Sequence, residues 1–264
     1  MSVESAPRTA KETNANYIDP QKKLEVEFFR EAINDPTYLP FRSVINSAFP
    51  EEYADSKQAW QKYTDDENYP KYEIFTVEYI EQLAATLHDT ALRLGHSPTR
   101  PLRVLEVCAG NGRLTHFLNE EIDRKYPGLI NVFAIDSGRL EIAPTFPVEN
   151  MSHKDALDTY QPDVVINSWM PPNEDLSQDF RDTPSVQEYI LIGEPDLCGK
   201  DWETWGVDLG ITSHSDRTPT PPYAKDGFKI DSDNDFFSDV QLCRTDEPWT
   251  DYSRSMTIRF SRKD

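Results

Sequence analysis

VLEVCAGNGRLTHFL, residues 104–118, reads as an apolar strand ending in an acid, a tight turn of small residues, and a helix with Leu114, Phe117 and Leu118 on its inner side. A turn carrying Gly110 and Gly112 lets backbone approach a ligand where a Cβ would collide. It also aims a helix N-terminus at that ligand. Glu106 completes the apolar run just before the turn, and an acid buried there needs a partner. Outward from this stretch, short apolar runs alternate with helical stretches: LRVLEV (102–107), INVFAID (130–136), DVVINS (163–168) and YILIGE (189–194), with a shorter run at Phe146–Val148. That rhythm predicts βαβ units and a largely parallel sheet. VQLCR (240–244) and MTIRF (256–260) are close enough to pair as an antiparallel hairpin at one sheet edge.

Glu106, Gly110 and Gly112 match the acid and the last two glycines of the E/D-x-G-x-G-x-G pattern of class I S-adenosylmethionine-dependent methyltransferases, which this region resembles. Cys108 stands where that pattern has its first glycine and leaves less room beside a ligand. A dinucleotide fingerprint, G-x-G-x-x-G, would need a small residue three positions after Gly112, where Thr115 stands. INVFAID ends in Asp136, where an acid can accept both hydroxyls of a ribose. His153-Lys154-Asp155-Ala156 resembles the family's third motif, in which Asp155 would accept from the adenine amino group and Ala156 would leave space for the ring.

The resemblance covers residues 75–264 as ordered motifs. It implies an α/β, Rossmann-like, mostly parallel sheet with a C-terminal antiparallel hairpin and an N-terminal helical extension. The cofactor it implies is S-adenosyl-L-methionine, bound by Glu106, Cys108, Gly110, Gly112, Asp136, Asp155 and Ala156, with Glu106 or the backbone beside it meeting the methionine amino group. The residues alone also allow a plain strand–helix turn at Gly110 and Gly112, a helix cap at Asp136 and a solvated acid at Asp155.

In open α/β sheets ligands sit at the carboxyl ends of the strands, which directs attention to NSWMPP after the fourth run and GEPDLCGKDWETWG after the fifth. Asn167 and Trp169 are expected near the acceptor, with Asn167 able to accept an N–H and Glu194 a candidate base. Trp202 and Trp205 on the following segment, with His214 beyond it, are candidate acceptor contacts, because aromatic faces beside carboxylates can hold a cationic amine. The competing reading makes Asn167 a turn cap and packs Trp169, Trp202 and Trp205 into the core. No acidic triad points to a metal, so none is expected.

A net charge of −20 over 264 residues repels phosphate backbones, so nucleic acid is not the expected substrate. Cys108, Cys198 and Cys243 are widely spaced and outline neither a disulfide framework nor a zinc site. With no apolar run of membrane-spanning or signal-peptide length, a cytoplasmic location is expected.

Residues 1–19 are polar and small and read as a flexible tail. Residues 20–98 read as an N-terminal helical cap, and 99–264 as the S-adenosylmethionine-binding domain. Within the cap, Leu24, Phe28 and Ala32 recur at helical spacing, and Ile80, Leu83, Ala84, Leu87, Ala91 and Leu94 predict a stronger helix from about Thr76 to Gly95. The function expected is N- or O-methylation of a small molecule. The alternatives are a protein methyltransferase acting on a basic partner and a non-catalytic methyltransferase-like binding subunit. Oligomeric state is left open by the sequence.

Overall fold

The computed structural model describes residues 20–66, 70–207, 220–231, 237–250 and 252–263. The tail expected over 1–19, His214 and the start of the proline-rich loop 218–223 lie outside the described residues. Seven strands form one sheet: β1 (Leu102–Val107), β2 (Ile130–Asp136), β3 (Glu149–Asn150), β4 (Val164–Ser168), β5 (Glu188–Gly193), β6 (Phe228–Ile230) and β7 (Met256–Arg262). Their order is β3-β2-β1-β4-β5-β7-β6. The first five run parallel, and β7 is antiparallel to both β5 and β6. The helices are α1 (Pro20–Asn34), α2 (Arg42–Ala48), α3 (Ser56–Thr64), α4 (Val77–Arg93), α5 (Arg113–Lys125), α6 (His153–Tyr160), α7 (Ser177–Asp182) and α8 (Pro222–Lys225), with one π-helical turn at Asp201–Trp205.

Successive side chains of a strand point to opposite faces, and a parallel sheet buries both. Val104, Val132, Val164, Ile166, Ile190 and Ile192 pack on one face against Leu83 and Leu87 of α4 and Leu114 and Leu118 of α5. Their neighbours Leu105, Val107, Ile135, Val165, Tyr189 and Leu191 pack on the other, with Ala156 and Leu157 of α6 and Phe180 of α7. α4 starts where the sequence predicts: the Thr76 side chain accepts from the Tyr79 amide, and Gly95, with φ 71°, ends it.

β1 and β2 coincide with the runs read from the sequence, and β4 and β5 fall within a residue of theirs. Three expectations are corrected. The strand expected at Phe146–Val148 forms instead at Glu149–Asn150, paired with the end of β2. In α1 the buried face carries Val26 and Ile33, while Leu24 and Phe28 are each 67% exposed. The hairpin partner of β7 is β6, not 240–244. That segment lies along residues 72–74 instead: Ile74 N–H donates to Leu242 O at 2.8 Å, and Arg244 N–H to Tyr72 O at 2.9 Å. Leu242 is the reason, because it completes an apolar cluster with Ile33, Ile45, Phe49, Trp60 and Ile74, and so fastens the N-terminal helices down.

Gly110 (φ 53°) and Gly112 (φ 79°) both need the left-handed region, but their surroundings differ. A Cβ at Gly110 would meet only Ile142, at 3.6 Å, whereas one at Gly112 would lie 2.6 Å from Val148 and 3.3 Å from the Phe146 carbonyl. Gly110→Ala is therefore expected to cost only the conformational penalty, about 1–2 kcal/mol, and Gly112→Ala distinctly more. Urea unfolding of the two variants checks this, and equal losses would contradict it.

Candidate active site

The chain reverses direction across the sheet between β1 and β4, and a crevice opens at the carboxyl ends of the strands on either side of this switch point. A cavity of about 610 Å³ occupies it. Glu106, Cys108, Gly110 and Asp136 from the expected cofactor set line it, together with Trp169 from the expected acceptor set.

Glu106 is buried, and its Oε2 accepts from Thr115 twice, from the amide at 3.1 Å and the hydroxyl at 2.5 Å. The residue that spoils a dinucleotide fingerprint is thus the one that holds the strand-end acid. Burial still pushes the Glu106 carboxyl up to about 7 against those bonds. Asp136 takes the Gly110 amide on one oxygen at 2.9 Å and the Gly138 amide on the other at 2.8 Å. This ties the end of β2 to the glycine turn and leaves each oxygen further acceptor capacity. Gly112 lies in the same turn but off the wall.

Asp155 and Ala156 are not brought to the cavity wall. Asp155 is exposed in the first turn of α6, where its carboxylate accepts from the Ser152 hydroxyl at 2.7 Å and its amide donates back to that oxygen. Ala156 packs beneath in the core. Ser152 and His153 stand on the wall instead, and His153 Nε2 is 2.8 Å from Asp179.

Of the expected acceptor residues that are described, only Trp169 faces the cavity. Asn167 is buried behind it, its amide nitrogen donating to Val107 O at 3.0 Å and its Oδ1 without a partner among the described residues. Glu194 sits one layer back, accepting from the Thr245 hydroxyl and the Cys243 thiol. Trp205 is turned into the core by the π-helical turn, its indole donating to Cys198 O at 2.7 Å, and Trp202, half-buried on the same turn, is not part of the wall. The shared cavity expected for Trp169, Glu194 and Trp202 therefore contains Trp169 alone: after β5 it is Leu197 and Cys198 that reach the wall, while the π-helical turn packs Trp205 into the core.

The wall is completed by residues 70–75 and 244–245, of which the sequence did not single out Lys71, Glu73, Arg244 or Thr245. Glu73 is 6% exposed. Its Oε2 accepts from Trp169 Nε1 at 2.9 Å and its Oε1 from the Ser255 hydroxyl at 3.0 Å. Burial holds its carboxyl at about 8, even though the hydrogen bonds from Trp169 and Ser255 pull the other way. Lys71 is lowered to about 8 by burial and donates to Tyr63 O at 3.0 Å. The one available signal was the alternation Lys71, Glu73, Phe75 in an extended stretch between helices. Among the described residues no group of three or more His, Cys, Asp or Glu is placed to hold a metal ion, and no helix is long and apolar enough to cross a membrane.

The sheet order and terminal hairpin give the Rossmann-like fold that the resemblance to class I methyltransferases implied. No protein-family model matches the chain, and no curated protein matches it. Solved structures similar to it include the DszA carbon methyltransferase, at 15% identity over 82% of this chain and 59% of that one, with a TM-score of 0.40. The CurJ carbon methyltransferase is 13% identical over 92% of this chain and 68% of that one, TM-score 0.39. The 23S rRNA methyltransferase ErmE is 14% identical over 68% of each chain, TM-score 0.32. This chain thus spans less than two thirds of the DszA chain.

The two raised carboxyls make stability depend on pH. Between the ordinary glutamate value of 4.5 and about 7 for Glu106 or about 8 for Glu73, the folded chain binds protons that the unfolded chain has lost. Their contribution is full below 4.5 and falls as pH rises through 7 and 8. Chemical denaturation at pH 5 and pH 8 is expected to show a loss that Glu106→Gln reduces. An undiminished loss in that variant would contradict the assignment.

Proposed function

We propose that the chain is an S-adenosylmethionine-dependent methyltransferase acting on a small molecule. The observation that carries this reading is that the acid ending β1, the left-handed turn after it and the acid ending β2 face one cavity at the switch point of the sheet. The site suits that cofactor: Gly110 leaves open space, α5 presents its N-terminus, and two acids stand where an amino group and vicinal hydroxyls need acceptors. Glu106 and the turn backbone would meet the methionine amino group, and Asp136 the ribose. When bound, S-adenosylmethionine supplies a methyl group on a sulfonium, so the protein has only to align a nucleophile and accept a proton.

A volume of about 610 Å³ falls within the usual 300–1,000 Å³ of small-molecule sites. The wall is also not the acidic groove a basic protein partner would favour, since Lys71, Arg113, Arg139 and Arg244 stand on it with Glu73, Glu106, Asp136 and Glu174. Arg139 pairs with Glu174 at 2.5 Å. We extend the proposal to the absence of a nucleic-acid substrate, on the net charge of −20.

Isothermal titration with S-adenosylmethionine is expected to show one site. Asp136→Ala should weaken it about tenfold or more, as the loss of a charge-assisted bond worth roughly 1.5–3 kcal/mol requires. Asp155→Ala should leave it unchanged. Absence of binding to the folded wild-type chain would overturn the assignment.

A further inference from the structure

Glu188, also buried, meets Arg93; Glu194 is taken up behind the wall by Thr245 and Cys243, and Glu106 beside the glycine turn by Thr115. No cation pairs with Glu73 among the described residues. The charge that acts on it is Asp246, of the same sign, and the titratable groups that respond to it are Tyr79, Cys198 and Cys243. It is nonetheless fixed in place. Trp169 and Ser255 each donate to one oxygen, and Ser253, Asp246 and Gln241 continue the polar layer behind it through Ser253–Asp246 and Thr257–Gln241 bonds. A carboxyl held rigidly, unpaired and open to a cavity is arranged to exchange a proton with what the cavity holds.

Resting on the methyltransferase reading, we propose that Glu73 is the proton acceptor of the site and that the acceptor is an uncharged, largely apolar molecule presenting a hydroxyl. Apolar chemistry follows from the wall around Glu73, made by Tyr72, Ile74, Phe75, Trp169 and Leu197. A cationic acceptor is opposed by Lys71 and Arg244 at the same end, and the Arg244 guanidinium already lies 4.9 Å from the centre of the Tyr72 ring, which stacks tilted on Trp169 at 5.5 Å. A neutral amine attacks without prior loss of a proton, and an ammonium is opposed by the same two cations, whereas a hydroxyl needs a base near neutral pKa, and burial has moved Glu73 to about 8. In the step, the acceptor oxygen bonds to the methyl carbon as the carbon–sulfur bond breaks, the electron pair stays on the now neutral sulfur, and the hydroxyl proton goes to the Glu73 carboxylate.

The test loads the full chain with S-adenosylhomocysteine and titrates it with 4-methylphenol, which stays neutral across the pH range read, or with benzylamine, followed by tryptophan fluorescence. The phenol is expected to bind and benzylamine not. Glu73→Gln should weaken the phenol about tenfold or more while leaving S-adenosylhomocysteine affinity within about twofold, as the loss of a single charge-assisted bond requires. Trp169→Phe, which removes the donor to Oε2 and keeps an aromatic ring, should move the pH dependence of phenol binding upward, and a merely structural Glu73 would not produce that shift. Binding of benzylamine in preference, failure of the loaded protein to bind the phenol, or an unaffected Glu73→Gln variant overturns this proposal alone. Failure to bind S-adenosylhomocysteine overturns the methyltransferase reading and, with it, this one.

Discussion

The constraint on which the rest depends is the burial of β1 on both faces and along both edges. Between β2 and β4, and covered by α4 and α5 on one side and the α6–α7 layer on the other, it is buried from Val104 to Val107, and only Arg103 near its start reaches water. The other outlet is its carboxyl end. Glu106 sits at that outlet with the two bonds from Thr115, and the turn after it is tied across to β2 through Asp136. The site is therefore not added to the fold. It is where a doubly covered parallel sheet leaves backbone and acids unspent.

This is also why that half was legible. Strands of a covered parallel sheet show as mostly apolar runs, and β1 and β2 were read to the residue. An acid at the end of each and glycines between them needed no tertiary information. Asp155 lies off the wall in a Ser-x-x-Asp start that caps its helix by local bonding, and a cap competes with a ligand for the same oxygens.

The acceptor half was not legible, because no local period encodes it. Glu73 and Cys243 are 170 positions apart and meet in one antiparallel bridge. The segment 240–244 has strand character, and from sequence alone its nearest partner is 256–260. Burial of Leu242 with the N-terminal helices decides otherwise, and this choice brings Arg244, Thr245 and Glu73 to the crevice. Overall charge does not describe the site either: a chain at −20 still places Lys71, Arg113, Arg139 and Arg244 on the wall of the cavity, beside Glu73, Glu106, Asp136 and Glu174.

Two residues connect the halves, and both carry strain. Cys108 and Trp169 each have φ 58°, a conformation that costs a non-glycine residue roughly 1–3 kcal/mol. They follow β1 and β4, neighbours in the sheet, so the strain is concentrated on one edge. At Trp169 two bonds oppose it, from its amide to Ile192 O at 2.7 Å and from its indole to Glu73 at 2.9 Å. The left-handed turn places the backbone amide on β5 while the ring reaches the N-terminal segment, a combination that an extended residue continuing β4 would carry past the crevice. Trp169 thus fixes Glu73 relative to the turn that holds Cys108 and Gly110, and local strain becomes the means by which a distant, sequence-silent carboxyl is aligned with the glycine turn.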